Sequence, residues 1–319
     1  MAYAGSIYAE TDQGIAGAGL APAAPIPPRE LIERTGVARP DESDELVRAL
    51  YERSGRALKI RILKVLPDGY SFEGRRVLDF GCGAGRVLRQ FLPEATSGEF
   101  WGCDLHRPAI DWLDQNLSPP FRFFVNDGIP MPHSDEHFDL VYAISVFTHI
   151  THDWSAWLLE LHRILKPDGL LMVTLLGPKS WGVSLRNPPH EDAIGMCVQR
   201  LGKRLDDTSG PRVLHSPWWL HAHWGRAFEM LPMKSFVYAG NQGFVIGRKR
   251  DVSLTRDDLE RPDPKDPREL EAQRYQLAVL EEEAEEVRRE YESTLSWRVT
   301  RPLRAAGRMG RWFRSRRSR

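Results

Sequence analysis

Apolar positions along the chain recur in two rhythms, and their order predicts the architecture. Within Arg29 to Pro67 the spacing is helical: Leu46, Leu50 and Tyr51, then Leu58, Ile60, Ile62, Leu63 and Val65, until Pro67-Asp68-Gly69 stops it. Short apolar runs follow. Val77-Leu78 is the first, then Phe100 to Asp104, Phe121 to Val125, Phe138 to Ser145 and Leu170 to Thr174. Between them helical spacing returns, at Val87, Leu88, Phe91 and Leu92 and again from Trp154 to Leu165. Strands alternating with helices predict an α/β fold around a mostly parallel sheet. Two later runs, Met233 to Tyr238 and Phe244 to Arg248, flank Asn241-Gln242-Gly243 and predict an antiparallel terminal hairpin.

Segments outside this rhythm divide the chain further. Residues 1–41 begin rich in Ala, Gly and Pro and read as a flexible arm ahead of a domain spanning 42–250. The charged stretch 251–267, with Pro262, Pro264 and Pro267, reads as a linker. In 268–296, Leu270, Leu277, Leu280, Ala284, Val287 and Tyr291 fall on a and d positions of a heptad, with Gln273 and Thr294 completing it. That predicts a short coiled coil and a seam for a homodimer; a solvated single helix laced with Glu–Arg pairs is the alternative.

Charge changes the picture only locally. The 44 basic and 44 acidic residues cancel, yet 281–286 is nearly all acid while 297–319 holds nine arginines and no acid. No apolar run approaches the ~20 residues of a membrane span, and no basic start followed by an apolar stretch marks a secretory signal. Cys82, Cys103 and Cys197 lack C-x-x-C spacing and read as reduced thiols of a cytoplasmic protein.

Candidate chemistry centres on the turn after the first strand. Asp79 ends the run, and glycines follow at 81, 83 and 85. Glycine is required where the backbone takes φ > 0 or a ligand approaches without a Cβ in the way. The dinucleotide pattern G-x-G-x-x-G/A from Gly81 would need Gly or Ala at 86, where Arg86 stands. The pattern D-x-G-x-G-x-G instead resembles motif I of the class I methyltransferases that use S-adenosyl-L-methionine. Phe138 to Ile150 resembles that family's strand-four segment, and Arg163 to Leu171 (R-I-L-K-P-D-G-L-L) its helix-to-strand-five turn.

The resemblance implies a Rossmann-like sheet with an antiparallel last strand, and a cofactor site built from Asp79, Gly81, Cys82, Gly83 and Gly85. It extends that site to Asp104 and Leu105, to Asp127 and Gly128, and to Ser145. A carboxylate at 104 suits a ribose diol because it only accepts hydrogen bonds; capping the next helix is the other reading. Asp127 falls at the family position that takes the adenine amino group, and an Asx turn is the other reading there. The helical lead-in either covers the cofactor pocket or merely packs on the sheet.

For the acceptor, a hydroxyl is a poor nucleophile at neutral pH and calls for a general base, most often His. His149, following strand four, is the first candidate and His215 the second, with His221 and His223 beyond. The 221/223 pair does not share a helix face. No metal is expected, because no carboxylate cluster accompanies H-x-H. Ser296 to Arg304 resembles a segment, S-W-R-x-T-x-P-L-R, of bacterial surface-polysaccharide proteins. Trp297, Leu303, Trp312 and Phe313 amid arginines suit peripheral contact with the inner face of an anionic membrane better than nucleic acid. The reading is O-methylation of a sugar hydroxyl in a bacterial surface polysaccharide or glycolipid precursor. A small-molecule methyltransferase with a dimerising tail and a non-catalytic scaffold for glycan enzymes are its rivals.

Overall fold

The computed structural model describes residues 24–37, 41–178, 190, 193–200, 210–231 and 242–294. The arm before residue 24, the predicted strand Met233 to Tyr238 and the Arg-rich segment 297–319 lie outside them.

Where one lead-in helix was expected there are two, α1 (Arg29–Glu33) and α2 (Asp44–Val65). Ser43 caps α2 by accepting from the Leu46 amide, Asp44 and Glu45 favour its positive end, and Leu66 before Pro67 leaves the helical region. The arm therefore does not run free to residue 41: Ile32 of α1 is buried against Val47 and Tyr51 of α2.

Strands β1 (Arg76–Phe80), β2 (Glu99–Asp104), β3 (Arg122–Val125), β4 (Phe138–Ala143) and β5 (Leu165–Leu176) follow in the predicted sequence. They lie in the parallel order β3-β2-β1-β4-β5. Between β2 and β3 runs α3 (Arg107–Leu117), and between β4 and β5 runs α4 (Trp154–Ile164). The helix expected after β1 is only a 3₁₀ turn over Leu88–Phe91. Pro93 accounts for this, since its ring would meet the Arg89 carbonyl in a continued α-helix.

Alternate strand residues feed two cores. Val77, Phe100, Leu140 and Met172 pack under α2 and α3, while Leu78, Val141, Leu171 and Val173 pack under α4. Burial on both faces is why these strands read as unbroken apolar runs.

Past β5 the chain departs from expectation. Residues 196–200 and 211–215 form an antiparallel pair, β6 (Met196–Arg200) and β7 (Pro211–His215), with β7 joining the end of β5 at Leu176–Leu214. Helix α5 (Pro217–His223) leads to β8 (Phe228–Met230), which pairs with β9 (Gln242–Lys249). β9 runs antiparallel along β5 from Leu170–Arg248 to Leu176–Gln242, the reversed last strand expected. Besides β5, its partner among the described residues is 228–230.

The linker expected over 251–267 is part of the fold. Its helix α6 (Arg256–Glu260) starts with a Thr255–Asp258 capping box and buries Leu259 in the α4 core. Helix α7 (Pro267–Ser293) then lies along β6 through Ala272, Tyr275 and Val279. Its start is clasped by His223, which offers Nδ1 to the Leu259 carbonyl and Nε2 to buried Glu269 at 3.0 Å.

Candidate cofactor and acceptor site

The chain leaves β1 to form β2 on one side and returns to form β4 on the other. The carboxyl ends of β1 and β4 therefore part around a crevice, which is where open α/β sheets bind ligands. Asp79, the glycine turn and Ser145 all border it.

Positive φ at Gly81, Gly83 and Gly85 carries the chain over this end. A Cβ on Gly81 would lie 2.4 Å from Val146 Cγ2, and one on Gly85 2.5 Å from Leu113 Cδ2. At Gly83 the nearest atom would be Thr35 Cγ2 at 3.9 Å, so that peptide stays approachable. The turn is anchored to the end of β2. Gly81 and Cys82 both donate to the Cys103 carbonyl at 2.9 Å, and Gly83 donates to Asp104 Oδ2 at 2.8 Å. Cys82 thus contributes its backbone. Its thiol is buried in the core, and burial pushes it well above the ordinary thiol range.

Helix α2 closes over the turn from outside. Tyr51 donates its hydroxyl to the Ala84 carbonyl at 2.7 Å, and a Cβ on Gly55 would lie 2.2 Å from the Arg86 carbonyl oxygen. Of the two readings of the lead-in, the contacts put α2 on the glycine turn itself. Sequence reasoning missed both residues, although a glycine inside an otherwise good helix is a signal of close backbone approach.

Asp79 is fully buried, and its carboxyl is pushed up to about 8. Desolvation is the chief cause; the Tyr142 hydroxyl opposes it and the Asp104 charge adds to it. Asp104 is half-buried, and its Oδ1 also accepts from the His106 amide at 2.8 Å. It therefore braces the start of α3, in line with the capping reading, and holds the glycine turn as well. One backbone donor on each oxygen leaves about two of the four acceptor positions open.

Beside it Leu105 is 78% exposed, and Ile129, after Asp127 and Gly128, is 45% exposed. Asp127 is exposed and no atom lies within 4 Å of a Cβ on Gly128, whereas neighbouring Asn126 is buried with its Oδ1 unpartnered. Two bare apolar side chains, open carboxylate acceptors and a buried amide oxygen suit an adenosyl group. Ile129 and Asn126 escaped the sequence reading, though both adjoin Asp127-Gly128.

Ser145 takes φ of 61°, rare for a residue with a side chain. Two bonds hold it there: its amide donates to Thr174 Oγ1 at 2.7 Å and its hydroxyl to Gln242 Oε1 at 3.0 Å. The ends of β4, β5 and β9 are thus tied together beside the crevice.

The histidines separate cleanly. His149 is exposed, and its Nδ1 lies 2.8 Å from the Pro211 carbonyl. A carbonyl only accepts, so Nδ1 carries the hydrogen and the Nε2 lone pair is free to take a proton. His215 is 1% exposed among Trp219 and Trp224, and burial lowers it to about 3. The candidacy of His215 as a base is corrected here: a substrate cannot reach a ring sealed in the core. His221 is exposed and His223 buried in the α7 clasp, so the pair does face apart. Among the described residues no group of three or more His, Cys, Asp or Glu side chains is placed to hold a metal.

Residues 77–169 match the methyltransferase domain family. S-adenosyl-L-methionine is the cofactor that the domain's fold and glycine turn serve.

The methyltransferase match extends to curated relatives of varied acceptors. The chain is 31% identical over 121 residues to phthiotriol/phenolphthiotriol dimycocerosates methyltransferase 1 of Mycobacterium ulcerans, covering 36% of this chain and 44% of that one. It is 26% identical over 184 residues to the fatty-acid O-methyltransferase of Mycolicibacterium smegmatis, covering 52% and 66%. The chain spans less than half the length of the first curated relatives it matches. Among solved structures, it is similar to a Burkholderia thailandensis 1,6-didemethyltoxoflavin-N1-methyltransferase with bound S-adenosylhomocysteine. That likeness has 17% identity and a TM-score of 0.46, over 72% of this chain and 93% of the other.

Proposed function

We propose that this chain is an S-adenosyl-L-methionine-dependent O-methyltransferase acting on a sugar hydroxyl of a bacterial surface polysaccharide or glycolipid precursor. The observation that carries the transferase reading is the Asp104–Gly83 contact. A carboxylate with acceptor capacity to spare is held at the end of β2 by the one turn peptide whose Cα is left open.

In this reading Asp104 accepts the ribose hydroxyls, Leu105 and Ile129 flank the adenine, and Asp127 or Asn126 meets its polar edge. The glycine peptides, Asp79 and Ser145 line the rest. When bound, the cofactor supplies an activated methyl group on a good leaving group, so the protein's work is positioning and proton removal. His149 Nε2 takes the proton of the acceptor hydroxyl, its tautomer set by the Pro211 carbonyl.

The sugar acceptor rests on the S-W-R-x-T-x-P-L-R segment and the basic tail, which also support a place at the inner face of the membrane. A second reading is favoured by the names of the relatives: a lipid or other small-molecule acceptor, with the C-terminal helix serving only dimerisation. Labelled S-adenosyl-L-methionine incubated with glycan-precursor and lipid extracts separates them by which product carries label. Absence of calorimetric binding to the cofactor or its demethylated product would leave only a scaffold. Flotation with anionic vesicles, with and without residues 297–319, tests the tail.

A further inference from the structure

Between β3 and β4 the chain crosses against α4, and the crossing is pinned at two points. At one, the Asn126 amide donates to the Asp104 carbonyl at 3.0 Å. At the other, Met131 is held through both of its backbone groups. Its amide donates to Glu160 Oε1 at 2.6 Å, and its carbonyl accepts from Arg163 Nη2 at 3.3 Å. Met131 stands between Pro130 and Pro132, which have no N–H to offer and a fixed φ, so the chain on either side follows where Met131 is held. Arg163 reaches further along the crossing. Its Nη1 donates to the His133 carbonyl at 2.9 Å and to Asp135 at 2.7 Å, while Nε and Nη2 hold the two oxygens of Glu160 at 2.9 and 2.6 Å. Every N–H of the guanidinium is thereby engaged. Glu160 is only 5% exposed. Burying a carboxylate is costly, and apolar side chains of the same bulk would pack a helix on a loop at least as well. What a guanidinium fork closed on a carboxylate adds is fixed geometry.

We infer that the Glu160–Arg163 pair is a positioning device for the loop that recognises the cofactor's base, and that it sets the pocket's preference for adenine over other purines. The inference rests on the adenine reading of Asn126, Asp127 and Ile129 given above. Between the two pins lie Asp127, Gly128, Ile129 and Pro130, none of them buried, so the pins rather than side-chain packing define their path. Both pins are rooted in the fold. Asp104 ends β2, and α4 buries Leu158, Leu161 and Ile164 in the core. The Asn126 Oδ1, buried and unpartnered, and the Asp127 carboxylate only accept hydrogen bonds, which suits the amino group of adenine. A base with a carbonyl in that place sets acceptor against acceptor. A loop held in place cannot turn a donor toward that carbonyl, so it rejects the base; a loose loop can rearrange or admit water. Glu160 and Arg163 act on this choice through the main chain at 131 and 133.

The test is calorimetry on the full chain with two ligands, S-adenosylhomocysteine and S-inosylhomocysteine, whose base carries an oxygen where adenine has its amino group. Wild type is expected to prefer the adenine ligand by about tenfold or more. Glu160→Leu combined with Arg163→Met removes both charges together, so no lone charge is left buried. That variant should bind S-adenosylhomocysteine about tenfold more weakly and lose most of the preference between the two bases. Hydrogen exchange of the free proteins should show the amides of 126–133 opening while α4 and the sheet stay protected. Arg163→Lys keeps the charge beside Glu160 but cannot span Met131, His133 and Asp135 at once, so its preference should fall between the other two. It also decides the matter if the double variant does not fold. A variant that keeps the wild-type preference, or weakens both ligands equally, overturns the inference and leaves the cofactor reading standing. Wild type that binds neither ligand, or both alike, overturns the adenine reading and the inference with it.

Discussion

The Tyr51 hydroxyl donates to the Ala84 carbonyl across 33 residues of sequence, tying the lead-in helix to the glycine turn at 2.7 Å. Both partners are buried, so removing the donor leaves a carbonyl with no water to replace it. Tyr51→Phe should lower the unfolding free energy by about 1–3 kcal/mol, the range for an orphaned buried acceptor. Because the turn is the cofactor's seat in our reading, its affinity should fall alongside. Denaturant melts and calorimetry on the same preparation check both effects.

Asp104→Asn separates bracing from binding. The amide keeps one oxygen to accept from Gly83 or His106 but replaces the other acceptor with a donor. The fold should therefore survive with a small loss of stability. Affinity for S-adenosyl-L-methionine should drop by about ten- to a hundredfold, corresponding to roughly 1.5–3 kcal/mol for a lost charge-assisted bond. Titration calorimetry gives the number.

Asp79 should make cofactor binding depend on pH. With its carboxyl at about 8 in the free protein, the group is largely neutral at pH 6. The bound cofactor carries a sulfonium and an ammonium, which favour the carboxylate form. Binding should then release a proton, and affinity should rise as pH goes from about 6 to 8 and level off above. For folding, the shift acts oppositely. Raised above its unfolded value of 3.8, the group stabilises most below that pH and loses its contribution as pH climbs through 8. Asp79→Asn should flatten the affinity profile, measured by calorimetry in buffers of different ionisation enthalpy.

His149 and His215 should part in opposite assays. His149→Gln should reduce kcat by about 10²–10⁴-fold while leaving cofactor affinity intact, the usual span for loss of a general base. His215→Phe should leave turnover near wild type. It should instead change acid stability: a histidine lowered to about 3 by burial supports the fold above its unfolded value of 6.5 and withdraws that support as pH falls. Thermal melts from pH 7 to 4 should show a shallower decline in His215→Phe than in wild type.

What the sequence disclosed follows what its physics makes loud. The central strands β1, β4 and β5 are buried on both faces, so they announce themselves as apolar runs, and Asp79, Gly83 and Asp104 sit at fixed offsets from the strand ends. The β6–β7 pair was silent because Met196 to Arg200 is short and half polar. Segment 251–267 misled because three prolines and many charges outweigh one anchor, Leu259, whose burial depends on a core formed far away. The heptad spacing could not tell that Ala272, Tyr275 and Val279, on another face of the same helix, would pack on the domain. Gly55 and Tyr51 were legible only as an oddity and a core aromatic, since their partners are main-chain carbonyls more than 30 residues on.

The twin bonds from the Gln276 amide to Val198 reach the outermost described strand, whose backbone groups on that side have no neighbouring strand among the described residues. Such a margin is an invitation to other chains, and here a side chain stands guard over it. Shortened forms that stop before Pro267 would uncover that margin together with Cys197 and Leu214. A crystallographer trimming the C-terminus for better lattices should cut beyond Val279, or expect precipitate in place of crystals.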